Sequence, residues 1–411
     1  MAVTSPLSRL AGGRLSALAG SDTAKAVGLA GSMIVNNLIA LAATIVFARL
    51  LKDGQGGGYG SLAALVSYFL ILSVVGQALQ VATAREGVLG HLGDGQELMA
   101  TIRRWSQALL VFTLVLAVVS VLLRGPIASA VGVRHDEWAA AIGLPTAGLW
   151  LWLSVLRGVL QGLGDYKGVG LSLIGEQGAR LVFGAILAAA GLGVTGAYAG
   201  SPLSFVVMGA YCLWRLHGHV AAVSAGEASS VPRDRSTPEA RNLWIHVRRA
   251  WAPIAGLIII AVLQNIDIIA AKHRFSTSVA SSYGAVAVAA KVLIWVAMGA
   301  GFYLVPEVSR RRATGQDPRP ILARALVIVG VCAVPVLLIY AFASHLLIRL
   351  AFGADHTKAA GSLLVLGLAF TALACTYLAI QYLLAQPLPE PEPLVVVDRE
   401  VEADQMGLFG G

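Results

Sequence analysis

An all-α polytopic bundle of about ten membrane-spanning helices in two pseudo-repeated lobes is the fold this sequence predicts, on three observations. Of 411 residues, 57% are hydrophobic and only 13% charged, and the mean hydropathy is +0.76. Uninterrupted apolar runs recur from end to end, each of the roughly 20 residues needed to cross a bilayer. Their continuity contradicts the short alternating segments of a β-barrel. Finally, ARLLKDGQGGGYGSLAAL around Tyr59 is similar to AKHRFSTSVASSYGAVAV around Tyr283, each covering the exit of one helix and the start of the next. An even number of spans separates the copies, so they point the same way across the membrane. Parallel repeats of this kind place a substrate path between two lobes that rock against each other.

In chain order, residues 1–26 are rich in Ser, Gly and Arg without a long apolar core, which reads as a cytosolic segment rather than a cleaved signal peptide. Hydropathy places helices at 27–49, 61–82, 107–123, 138–157, 169–191 and 196–215, making a first lobe over 27–215. Residues 216–249 contain SAGEASSVPRDRSTPEAR, too polar to fold alone, and form a cytosolic linker. Helices at 250–271, 282–304, 321–344 and 361–385 make a four-helix second lobe over 250–385, followed by a Pro- and acid-rich cytosolic tail, 386–411. The connections on one side of the membrane carry 20 Lys and Arg, Arg157 among them, and those on the other carry 8. Positive residues stay inside, so both termini are expected in the cytoplasm.

The stretch 168–191, GVGLSLIGEQGARLVFGAILAAAG, is apolar enough to span a membrane yet carries Glu176 and Arg180, four apart on one helix face. A lone charge at mid-membrane costs roughly 2.5 to 3.5 kcal/mol, so such residues usually face a protein interior or a wet cavity and mark a pathway. That points to a transporter. Arg180 is the leading anion contact, because a guanidinium offers phosphate a fork of donors; the alternative is that it only neutralises Glu176. Lys291, also inside a span, could serve the same path, snorkel or form a structural pair. Asp267, beside Gln264 and Asn265, reads as a coupling-ion site, a partner of Lys291 or an interfacial polar residue. Asn36 and Asn37 could line the cavity or join helices by hydrogen bonds. Arg49 and Arg85, at span ends, read as interfacial anchors, and Pro145, Pro202, Pro253 and Pro335 lie in helices that tolerate them.

Other classes fare poorly. Cys212, Cys332 and Cys375 lie singly in apolar segments without metal-ligand spacing. No Walker motif or HExxH occurs, and GLGDYKG and GQGGGYG follow no strand, so no catalytic residue, metal or cofactor is assigned. The net charge of +8 lies between hydrophobic segments, where it sets topology and meets anionic lipid rather than nucleic acid. A membrane glycosyltransferase would be expected to carry a long outer loop, which the spacing of spans does not provide.

The ordered series NNLIALAATIVFARLL, YGSLAALVSYFLIL, RGVLQGLGDYKGVGLSLIGEQGARLVFGAILAAAGLG and QNIDIIAAKHRFSTSVASSYGAVAVAAKVL, then Pro306, Glu307 and Ser309, resembles polysaccharide flippases of the Wzx type. These belong to the multidrug, oligosaccharidyl-lipid and polysaccharide exporter superfamily. The resemblance covers about 25–385. It implies a V-shaped, MATE-like bundle in the plasma membrane that carries a lipid-linked oligosaccharide between leaflets, with membrane lipid and other polysaccharide-assembly proteins as partners. Readings kept beside it are a multidrug or cation exporter of the same superfamily and a non-transporting scaffold. Twelve or fourteen helices are usual in that family. After Gln386, PLPEPEPLVVVDREVEADQMGLFGG cannot continue a membrane helix, so the second lobe is expected to lack its last two.

Overall fold

The computed structural model describes residues 22–51, 58–88, 92–93, 95–224, 251–295, 297, 304, 308, 311 and 316–384. The expected N-terminal segment, most of the linker, the tail, and Pro306, Glu307 and Ser309 lie outside the described residues. The helices are α1 (Asp22–Leu50), α2 (Gly58–Val88), α3 (Gly95–Leu122), α4 (Arg124–Val131), α5 (Glu137–Ala141), α6 (Gly143–Gly162), α7 (Tyr166–Leu187), α8 (Gly193–Ser224), α9 (Trp251–Arg274), α10 (Thr277–Ala290), α11 (Arg319–Phe352) and α12 (Leu363–Leu384). A 3-10 segment, Ala354–Ser362, joins α11 to α12, and no strand occurs among the described residues.

Ten of these helices fall where hydropathy placed a span; α4 is a short helix inside a connection, and α5 is a short first segment of the span that α6 continues. Among the described residues eight stretches are long and apolar enough to cross a membrane. One of them, Tyr166–Ala221, is two antiparallel helices, and α9 is a 24-residue helix outside the eight. The reversal between α7 and α8 rests on Gly191 (φ 96°) and Gly193 (φ 51°), values a side chain rarely allows. The surface is that of a membrane protein. Val111, Leu114, Leu122, Phe342 and Leu350 are exposed on α3 and α11, facing outward where lipid replaces water.

In the first lobe α6 is the central helix, packed between α2, α3 and α8, while α1 lies along α7. Small residues permit this. A Cβ on Gly158 would stand 1.8 Å from Thr83 Oγ1 and 2.6 Å from the Gln80 carbonyl, so α2 and α6 approach closely only because position 158 is glycine.

The lobes meet at one end of the molecule, where α1 finishes and α2 begins. Arg49 Nη2 donates to the carbonyls of Leu350 (2.7 Å) and Ala351 (3.2 Å). The Gly60 amide donates to Ser281 Oγ (3.0 Å), and His273 Nε2 lies 2.9 Å from the Ala130 carbonyl. The ring of His356 stands edge-on to Tyr59, centroids 5.8 Å apart. The two copies of the sequence repeat therefore touch, since a Cβ on Gly284 would also meet Ala63 at 3.0 Å. Toward the other end, marked by Asp165, the second lobe has a separate core of Ile294, Ala297, Leu304, Val308, Ile321, Ala325, Val329, Ala374 and Leu378.

Two expectations need correction. Arg49 is not simply an interfacial anchor, because it bonds across the lobes. Arg157, counted as a loop residue, is fully buried in α6.

Candidate functional site

Local structure sets the stage on α7. Asp165 caps the helix by accepting from the Gly168 amide at 3.0 Å, and α7 then carries Ser172, Glu176 and Arg180 at successive four-residue steps along one side. Arg157 of α6 meets the first two. Its Nε donates to Ser172 Oγ (2.7 Å), its Nη2 to the Ser172 carbonyl (2.7 Å), and its Nη1 lies 2.8 Å from Glu176 Oε2. The guanidinium also sits 5.6 Å from the Trp150 ring. Glu176 is thus neutralised by Arg157, which sequence reasoning missed, and not by Arg180.

Arg180 is consequently left over. It is half-buried and makes no hydrogen bond or ion pair with another described residue, yet the field of Glu176, Tyr198 and Tyr59 reaches it. Tyr198 is 1% exposed with an unpartnered hydroxyl. The backbone here is pinned: a Cβ on Gly200 would stand 2.6 Å from the Arg180 carbonyl, which holds α8 against α7 at the level of this residue. The result is a fork of free donors with aromatic hydroxyl neighbours inside the bundle, about 10 Å from the lobe-contacting end of α7 by helical rise. A guanidinium so placed has the chemistry to receive an anion.

In the second lobe Lys291 is buried at the end of α10. Its Nζ donates to Asn265 Oδ1 (2.9 Å) and lies 5.9 Å from the Phe370 ring. Asn265 is fixed by donating Nδ2 to the Ala261 carbonyl at 2.8 Å. Asp267 Oδ2 accepts from Tyr283 at 3.2 Å, while Oδ1 is buried without a partner. The expected Asp267–Lys291 ion pair is not formed. Positions 265 and 267 point about 160° apart around one helix, so the lysine bonds the first while only the field of the second reaches it. In addition α10 begins at Thr277, five residues before the expected start, which sets Lys291 about 20 Å from that end rather than in the outer half.

Asn36 and Asn37 are half-buried on α1. Asn36 Nδ2 donates to Asn37 Oδ1 at 3.4 Å, and Asn36 Oδ1 is buried without a partner. They bond each other rather than a neighbouring helix. Among the described residues Asn36, Arg180 and Lys291 share no contact; each has its own neighbours in a separate part of the bundle. No group of His, Cys, Asp or Glu suited to a metal occurs among the described residues.

At the opposite end Asp165 gathers a second polar cluster. Arg215 Nε donates to its Oδ2 (2.9 Å) and Nη2 to its Oδ1 (2.8 Å), and His219 Nε2 lies 3.1 Å from Oδ2. Burial pushes this carboxyl up, but the Arg215 fork, the Gly168 amide and His219 outweigh it and hold it below the usual carboxylate value. The GLGDYKG stretch that carries no nucleotide site is therefore a helix cap tied to α8.

No protein-family model matches the chain, and no curated protein matches it in sequence. Solved structures do match in shape. The lipid II flippase MurJ, in an inward closed conformation, aligns over 87% of this chain and 75% of its own at 12% identity, TM-score 0.62. The eukaryotic MATE transporter AtDTX14 aligns over 88% and 82% at 15% identity, TM-score 0.56. An inward-facing multidrug resistance MATE family transporter of the MOP superfamily aligns over 85% and 83% at 16% identity, TM-score 0.52. At such identities the likeness is one of architecture, and the chain has the multi-pass helical fold of MATE transporters and MurJ.

Proposed function

We propose that this chain is a flippase that carries a lipid-linked oligosaccharide across the plasma membrane by alternating access of its two lobes. The observation that carries the reading is the Arg180 guanidinium, inside the bundle and without a hydrogen bond or ion pair among the described residues, Glu176 being bonded to Arg157. A lipid-linked sugar bears a polar, usually diphosphate head that must cross about 30 Å of hydrocarbon. A forked cation in the interior offsets the loss of its hydration. Lys291 adds a second interior cation, and both disfavour cationic drugs as cargo. The lobe contacts at the Arg49 end fit a state closed on the outer face and open toward the cytoplasm, with both termini cytoplasmic. Membrane lipid and other polysaccharide-assembly proteins are the partners this reading implies.

A cation exporter has one observation in its favour, the unpartnered Oδ1 of Asp267. The test is transport by the purified full chain in liposomes supplied with a fluorescent polyprenyl-diphosphate sugar. Arg180→Ala is expected to abolish its movement between leaflets while leaving protein yield unchanged, and Arg180→Lys to retain part of it. Wild-type protein that moves a lipophilic cation and leaves the diphosphate lipid in place would overturn the reading in favour of the exporter.

A further inference from the structure

Between α3 and α8, near the Asp165 end, a groove of about 620 Å³ is lined by Gln96, Met99, Arg103, Leu213, His217 and Val220, with Ala100 and Ile102 completing its wall. That is the size of an ordinary small-molecule site. Its depth can be read from its own helices. On α3 the exposed side chains are polar at Gln96, Glu97, Arg103, Arg104 and Gln107, then apolar from Leu110 onward. On α8 the exposed positions are apolar at Leu203, Val206 and Val207 and end at Trp214, 67% exposed, before His217 and Gly218. Trp214 stacks beside Tyr211, centroids 6.0 Å apart, and such aromatic residues settle at the membrane–water boundary. Both helices therefore place the groove at the level of lipid headgroups, with its apolar wall continuing toward the hydrocarbon.

Its charge is equally definite. Among the described residues no carboxylate lines it. Of the acids nearby in sequence, Glu97 is exposed on α3 and engaged in an interaction of its own, and Asp165 is held by Arg215 and His219, which lie two residues either side of His217 and hence on the other face of α8. Arg103 is exposed and makes no hydrogen bond or ion pair with another described residue. His217 has Nδ1 2.8 Å from the Leu213 carbonyl, which leaves Nε2 directed away from the backbone. Two nitrogen groups thus face one apolar-walled groove at the headgroup level, the arrangement by which basic pockets between helices hold anionic lipid.

We propose that this groove holds an anionic phospholipid of the bilayer, its phosphate on Arg103 and His217 and its chains along Met99, Leu213 and the apolar face beyond. The site is independent of the transport reading, which rests on Arg180. The test uses the full chain in nanodiscs of phosphatidylcholine containing a trace of photoactivatable phosphatidylglycerol, with labelled peptides mapped. Labelling is expected at 95–107 and 211–220, competed by unlabelled phosphatidylglycerol but not by phosphatidylcholine or inorganic phosphate. Arg103→Gln combined with His217→Gln should reduce it roughly tenfold, as losing a charge-assisted contact implies, with an unchanged unfolding temperature. Equal labelling by a phosphatidylcholine probe, or competition by inorganic phosphate, overturns the proposal on wild-type protein alone, whatever the variants do.

Discussion

Arg49, at the end of the first helix, places one nitrogen on two carbonyls of the eleventh: Nη2 donates to Leu350 at 2.7 Å and to Ala351 at 3.2 Å. These carbonyls are among the last of α11, where they lack helical amide partners and carry the negative end of the helix dipole. One exposed side chain thereby ties the two lobes where they meet. An exposed charged contact contributes about 1 kcal/mol or less, which is enough to change a two-state population about fivefold. Arg49→Ala is expected to loosen the lobe junction. In a chain whose three cysteines are replaced, a cysteine at Ala63, buried beside Gly284, should react several-fold faster with an impermeant maleimide when Arg49→Ala is added. Equal rates would show that the apolar junction alone holds this end closed.

Arg157 and Glu176 form a contact of a different kind. Their side chains are 0% and 6% exposed, and removing one partner leaves an uncompensated charge in the core. Arg157→Ala should therefore destabilise by about 3 to 5 kcal/mol and reduce protein in the membrane. Arg157→Met with Glu176→Leu should recover most of that loss, because no charge is left unpaired. Thermal unfolding in detergent reads both. A single Arg157→Ala as stable as wild type would mean that Glu176 is protonated or finds another partner.

These two arginines also show what the sequence could and could not reveal. The helices were legible because in lipid every backbone group must be satisfied within the segment, which leaves a continuous apolar run little else to be. The pairing of Glu176 was not. Arg180 stands at the ideal spacing on the same helix, whereas Arg157 looked like a span end before GLGDYKG; only the docking of α6 on α7 selects it. A signal was present in Ser172 and Glu176, which share one face of α7 and offer a guanidinium three acceptors. Lys291 was misplaced in depth because Thr277, Ser278, Ser281 and Ser282 lowered the hydropathy of the first turns of α10. Those serines have work within the protein: Ser281 accepts from Gly60 across the lobe junction, and Ser282 donates to the His356 carbonyl within the second lobe.

Asp165 gives a dependence on pH whose sign can be worked out. Its folded carboxyl is held below the unfolded value, about 3.9, so its contribution is present above that value and is lost as pH falls through the lowered folded one. At neutral pH Asp165→Asn removes the carboxylate charge and one of the two acceptor oxygens that meet the Arg215 fork, and the unfolding temperature should drop by a few degrees. Once pH has fallen below the lowered folded value the two proteins should converge. A gap that stays constant down to that pH would assign the loss to helix capping rather than to charge.

The last expectation concerns Lys291, whose ammonium has Asn265 Oδ1 as its hydrogen-bond acceptor among the described residues, 2.9 Å away. Asn265 in turn is oriented by its own bond to Ala261, so the amide presents oxygen rather than nitrogen to the lysine. Replacing it by leucine strips the ammonium of that acceptor inside a membrane-spanning helix pair, at a cost of about 2 kcal/mol or more. Asn265→Leu should therefore lower the unfolding temperature, and adding Lys291→Met should restore it, since the pair then contains no bare charge. Asp267→Asn behaves differently: an asparagine oxygen still accepts from Tyr283, so stability should change little. If Asp267 carries the coupling ion through its free Oδ1, the same variant should lose the dependence of transport on the ion gradient while remaining folded. Were Asp267→Asn instead as destabilising as Asn265→Leu, and rescued in the same way by Lys291→Met, the carboxylate would be the lysine's working partner and the coupling role would fall.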